Sequence, residues 1–212
     1  MESFEAFVEE IRAQFEAKSA VRDTALRRSR TLIRHCANAI RAAHRGDAAD
    51  SQDLLATAGE AAAELIGDLE PYPDLYYAGY TQDALKEYVE AAVVYVFIYG
   101  GDLPGPDDLG VEPPAYLKGV AEATSEMRRY SLDLMRQNKL ERAQEIMPVM
   151  DEVYSQLMTV DFPDAITGGL RRTTDMLRGV VNRTRGDLTT AMRQEMMREA
   201  LRDFEARVTP EA

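Results

Sequence analysis

Glu87 and Glu90 stand three residues apart in the sequence, and Glu122 and Glu126 stand four apart. On a helix, either spacing puts both carboxylates on one face. The face of Glu87 and Glu90 continues to Val94 and Phe97, so that pair points toward the packed side of its helix. The face of Glu122 and Glu126 carries Ala115, Gly119 and Ala123, small residues that let a neighbouring helix come close. Two like charges at i,i+4 destabilise a bare helix by about 0.2–0.5 kcal/mol. Burying adjacent carboxylates costs more unless something neutralises them. A divalent cation reverses the sign. An all-oxygen donor set of this kind suits Mg²⁺ or Mn²⁺, which activate water and stabilise charge on a phosphodiester. The competing reading is chance, because a chain with 37 acids produces several such pairs.

The cations are unusual in kind: 21 Arg and 4 Lys, against a net charge of −12. Residues 21–45 hold seven Arg and one acid, and residues 171–186 hold five Arg and one acid. Between them, residues 50–112 hold fourteen acids and one base, Lys86. One reading of this pattern is solvated helix faces. The other is rows of Arg for phosphate beside a carboxylate cluster for a cation, because the guanidinium fork fits phosphate bidentately. Arg30, Arg34, Arg41, Arg178 and Arg185 are the candidate phosphate contacts. The acid-rich, Lys-poor composition also fits a halophilic host with a salty cytoplasm.

Other chemistries lack their residues. Cys36 is the single cysteine, and with His35 and His44 it does not make up a zinc set. There is no Gly-rich phosphate loop followed by Lys-Ser/Thr, no dinucleotide fingerprint and no nucleophile elbow. The longest apolar run, Ala91 to Tyr99, is nine residues, against the roughly 20 that span a bilayer. Acidic residues open the chain where a signal peptide needs a basic one, so the expected compartment is the cytoplasm.

The elements that must carry these residues read as helices throughout. Apolar side chains recur at helical spacing from Phe4 through Ile11, Phe15, Ala25, Leu32 and Cys36 to Ile40, one long amphipathic helix that stops near Gly46. Ser51 is the expected cap of a second helix, broken by Pro71-Tyr72-Pro73. A third runs from about Gln82 to Tyr99 with Thr81 as its cap, and Gly100-Gly101 ends it. Pro113-Pro114 opens a fourth, which runs to about Gln137. Asn138 caps a fifth that Pro148 kinks or splits, Pro163 starts a sixth, and Gly186 with Asp187 separates the sixth from a seventh. No strand alternation appears. The expected class is all-α, a seven-helix antiparallel array forming one domain over residues 1–212.

The residues around the glutamates carry a resemblance. Leu85-Lys86-Glu87-Tyr88-Val89-Glu90-Ala91 resembles the "LQEYVEA" segment of the translin family, and more closely its translin-associated factor X branch. Tyr116-Leu117-Lys118-Gly119-Val120-Ala121-Glu122-Ala123-Thr124-Ser125-Glu126-Met127 is similar to that branch's "YLLGVADLTGEL". Phe162-Pro163-Asp164-Ala165-Ile166, Leu170-Arg171-Arg172 and Thr184-Arg185-Gly186-Asp187 are similar to the family's C-terminal helices, and Ser29-Arg30 and His44-Arg45 stand at comparable places in its first helix.

The resemblance implies a seven-helix fold, assembly into octamers and binding of single-stranded RNA or DNA. For the factor X branch it implies a Mg²⁺-dependent endoribonuclease site at Glu87, Glu90, Glu122 and Glu126. Glu122 stands where that branch has Asp, one methylene shorter. Before Glu87 this chain has Tyr76, Tyr77, Ala78-Gly79 and Tyr80 where members often carry His and Arg. Those tyrosines either stack on bases or serve as core and subunit contacts. The expectation is a Mg²⁺- or Mn²⁺-dependent endoribonuclease on single-stranded RNA, acting as a homo-oligomer. The competing expectation is a non-catalytic oligomer that binds single-stranded RNA or DNA.

Overall fold

The computed structural model describes residues 2–208, and Met1 and residues 209–212, which the single-domain expectation includes, lie outside the described residues. Every regular element among the described residues is helical, as the periodicity predicts. The long helices are α1 (Glu2–Arg45), α2 (Ala48–Leu69), α4 (Gly79–Tyr99), α6 (Pro113–Arg136), α7 (Leu140–Met158) and α9 (Leu170–Val208). Three single turns join them: α3 (Pro73–Tyr76), α5 (Pro106–Leu109) and α8 (Asp164–Thr167). None of the described helices is long and apolar enough to cross a membrane. The chain packs as two compact units, one ending at Gly119 and the other beginning at Val120, so their boundary falls inside the unbroken α6.

In the first unit α1 packs along α2 and α4. The buried side of α1 is Ala25, Ser29, Leu32, Cys36, Ala39 and Ala43, alternating steps of four and three. On α2 the buried positions Ala58, Ala62, Leu65 and Leu69 keep the same rhythm. This spacing keeps one seam on the partner over several turns, as in coiled-coil packing. The alanines let the helices approach, and Leu32, Leu65, Leu69 and Leu85 fill the space between them. Each fully buried leucine is worth about 1.5–3 kcal/mol of transfer free energy. The β-branched run of α4 has strand propensity, but Leu85, Val89 and Val93 share one side of the helix and Val94 is buried on the opposite one, so packing on both sides overrides propensity.

In the second unit α7 packs on α9. The α9 seam is Leu170, Thr174, Leu177, Val181, Thr184 and Leu188, again in steps of four and three.

Several helix ends differ from those read in the sequence. Asp47, not Ser51, caps α2, its carboxylate accepting from the Asp50 N–H at 3.1 Å. Ser51 is buried instead and donates to the Ala39 carbonyl at 3.0 Å. Helix α4 begins at Gly79, and Thr81 is a core residue whose hydroxyl donates to the Leu75 carbonyl at 2.8 Å. Asn138 does not cap the helix: it takes the left-handed conformation, φ 57°, and Lys139 stands at the N-cap of α7. Pro148 lies inside a continuous α7.

The expected break at Gly186 is absent and one falls earlier: Pro163 opens only the single turn α8, Gly168 ends it in the left-handed conformation, and α9 runs from Leu170 through Gly186. The apolar seam crosses Gly186 without a phase change. The Asp187 carboxylate receives Arg128 at 2.8 Å rather than capping a helix.

Candidate functional site: carboxylates on α4 and α6

Glu87 and Glu90 lie on the side of α4 that packs into the first unit, where the helical spacing puts them. Each offers a carboxylate oxygen, and the two oxygens lie within 4.8 Å of one another. Glu90 is 9% exposed and Glu87 is half-buried. Both charges reach α1: burial pushes the Cys36 thiol up, and the fields of Glu87 and then Glu90 push it in the same direction. The interior of this unit is therefore negatively polarised at the place where α4 crosses Cys36. Carboxylates so close, and shielded from water, favour a bound cation over two bare charges.

Lys86 supplies part of that counter-charge. Its ammonium is 3.2 Å from a Glu87 oxygen, and its side chain is only 14% exposed. Nothing in its spacing marks it for a role. It stands one position before Glu87, a spacing that normally points the neighbour elsewhere, and its flexible stem brings the ammonium back.

Gly119 fixes how α6 meets α4. A Cβ there would stand 2.6 Å from the Val89 Cβ and 2.7 Å from the Lys86 carbonyl oxygen, closer than atoms can pack. Only glycine permits this approach. Glu122 and Glu126, both half-buried, follow on the same unbroken helix, one and two turns after Gly119. Buried Ala121 and Ala123 flank Glu122, and the Thr124 and Ser125 hydroxyls turn back to carbonyls four residues earlier, leaving the acids as the polar feature of this segment.

The candidate arginines divide. Arg30, Arg34 and Arg41 are exposed and lie, at 100° per residue, roughly opposite the buried seam of α1 that contains Cys36. They therefore face away from Glu87 and Glu90. Arg41 donates to the Asn38 side-chain carbonyl. On α9, Arg178 sits 3.6 Å from Asp175, and Arg185 is held by Asp151 and donates to Asn182 at 3.1 Å.

Among the tyrosines, Tyr76 and Tyr77 pack edge to face with ring centroids 4.9 Å apart. Tyr77 is exposed, and its hydroxyl donates to Glu112 at 3.3 Å, tying α3 to the loop before α6. The Tyr80 hydroxyl is buried.

No family model matches the sequence. An uncharacterized protein of Methanocaldococcus jannaschii is 30% identical over 187 residues, covering 87% of this chain and 82% of that protein. The structure of AfC3PO in complex with duplex RNA is similar at a TM-score of 0.82 and 32% identity, covering 89% of this chain and 98% of that one. AfC3PO without RNA gives a TM-score of 0.80 at 30% identity, with 89% and 98% covered. Apo-NeC3PO shares the fold, at a TM-score of 0.79 and 21% identity over 87% of this chain and 96% of that one.

Proposed function

The chain belongs to the translin family, and from that premise we propose that it is an RNA-binding protein that cleaves RNA with the help of Mg²⁺ or Mn²⁺, in the manner of the factor X branch. The observation that carries this reading is the inward-facing Glu87–Glu90 pair on α4, its oxygens within 4.8 Å of each other and Glu90 shielded from solvent. Glu122 and Glu126, one and two turns beyond Gly119 on α6, are assigned as the remaining donors. The donor chemistry fits the group, because carboxylate oxygens suit these hard cations and the buried Cys36 thiol beside them keeps its proton. Glu122 in place of Asp keeps the charge, and the added methylene lengthens its reach toward the cation.

A bound divalent cation supplies charge neutralisation at the phosphodiester and lowers the pKa of water. The chain's own residues do the rest. Glu87, Glu90, Glu122 and Glu126 hold the cation, and any of them not engaged with it accepts the proton of the attacking water. Lys86, set against Glu87, offers a positive charge to a non-bridging phosphate oxygen. The exposed Arg30, Arg34 and Arg41 on α1 and Arg178 and Arg185 on α9 hold the strand by its phosphates, giving affinity without base preference.

The AfC3PO structure carries duplex RNA, so single- and double-stranded RNA both belong in the assay. This chain is proposed to act as a homo-oligomer. A row of exposed Phe4, Phe7, Ile11 and Phe15 on α1 supports that state.

The test is incubation of labelled RNA with Mn²⁺, Mg²⁺ or EDTA, beside a Glu126→Ala variant. Cleavage that needs metal, stops with EDTA and falls at least a hundredfold in the variant is the expected result. RNA that is bound but intact, equally for both proteins, would favour the second reading, a translin-type binder that does not cut.

A further inference from the structure

We propose that the groove along the second half of α6 is a strand-binding subsite, and that Arg129 in it grips the RNA phosphate next to the one at the carboxylates. The inference rests on the reading of Glu122 and Glu126 given above and extends it to a residue with no assigned role.

Three observations lead there. At 100° per residue, Glu122, Glu126, Arg129, Asp133 and Arg136 fall within about 40° of one line along α6. The acids and the arginines thus share a face, with Arg129 about one helical turn beyond Glu126. That step is on the order of the spacing between neighbouring phosphates on an extended strand.

Next, the face is open. A groove of about 550 Å³ is lined by Ser125, Arg128, Arg129, Leu132, Asp133 and Arg136. Leu132 is 39% exposed at its edge, an apolar surface on which a ribose or base can rest.

Finally, the three cations of the groove are not equivalent. Arg128 is spent on Asp187 at 2.8 Å and lies 3.4 Å from the Thr184 hydroxyl, which fixes α6 to α9. Arg136 is paired with Asp133 at 3.4 Å. Among the described residues no ion pair uses Arg129, which is exposed. An exposed guanidinium with no carboxylate partner, on the same stripe as two cation-binding acids, is placed for a bidentate hold on a phosphate. A strand with one phosphate at Glu122 and Glu126 then runs along α6 with its next phosphate at Arg129 and its base or sugar on Leu132.

The experiment measures single-stranded RNA binding in EDTA across a salt series and metal-dependent cleavage under multiple turnover. It compares wild type with Arg129→Ala, Arg129→Lys and, as a control on a C-terminal arginine paired with Glu195, Arg198→Ala. Matching circular dichroism melts confirm that the variants fold. The expected result for Arg129→Ala is about tenfold weaker binding, the loss of one charged hydrogen-bonding group. The salt slope should fall by about one. KM should rise with kcat nearly unchanged, and Arg129→Lys should recover part of the binding. Metal-dependent cleavage by the wild type together with unaltered binding and KM in Arg129→Ala would overturn the subsite alone. RNA bound through Arg129 but never cut would uphold the subsite and overturn the cleavage reading. A wild type that binds no RNA would overturn both.

Discussion

Cys36 reports on the carboxylates from the inside. It is fully buried on α1, and its thiol is pushed up first by burial and then by Glu87 and Glu90. A raised acid keeps its proton in the folded state after the unfolded chain has lost it. The stability it contributes is complete below the ordinary thiol value of 9.0 and is lost as pH rises above it. Two outcomes follow. At pH 8 a thiol reagent labels Cys36 only at the rate of global unfolding, which stopped-flow labelling against urea would establish; fast labelling of folded protein would contradict the burial. Replacing Cys36 with Ala flattens the fall in stability between pH 9 and 10.5, read by denaturant midpoints at each pH. Lys86 and Arg129 matter for the opposite reason. Lys86 sits directly after an unrelated residue and before Glu87, so spacing gives no signal for it. Arg129 looks like half of an Arg-Arg pair until Arg128 is seen to be taken by Asp187.

The helices were legible in the sequence because their cores are regular. Ala25, Leu32, Cys36 and Ile40 on α1 announce a buried side, and Glu87 and Glu90 announce theirs by continuing into Val94. The ends were less legible because capping residues also serve other purposes. Ser51 and Thr81 have the side chains of caps, yet both are buried and bonded to carbonyls of neighbouring segments. Gly186 has the look of a stop, yet the seam of α9 runs through it. Two glycines test this account in opposite directions. At Gly119 an added Cβ collides with Val89 and the Lys86 carbonyl, so Gly119→Ala should destabilise by about 1–3 kcal/mol, as overpacking does. At Gly186 an added Cβ meets nothing within 4 Å and the residue is helical, so Gly186→Ala should stabilise by about 0.5–1 kcal/mol. Urea denaturation of both variants reads the two signs. A tolerated Gly119→Ala would mean that α6 does not lie against α4 as closely as the cation site requires.

Phe4, Phe7, Ile11 and Phe15 recur at steps of three and four and are 48–70% exposed, an apolar row that a helix buries when it has a partner. A homo-oligomer built on this row should dissociate when Phe7 and Phe15 are both replaced by Glu, with the mass from light scattering dropping to a smaller species while helicity is retained; an unchanged mass would place the contact elsewhere. The claim on which the account rests is the cation itself. Titration calorimetry of the purified protein with Mn²⁺, in parallel with Glu90→Gln and Glu126→Gln, measures it without RNA and without turnover. The account predicts a saturable site in the wild type, at least tenfold weakened in each variant, with a melting temperature that rises with Mn²⁺ in the wild type alone; a hundredfold excess over Kd corresponds to about 2.7 kcal/mol of added stability. Absence of binding in the wild type, or equal binding by all three proteins, would contradict it.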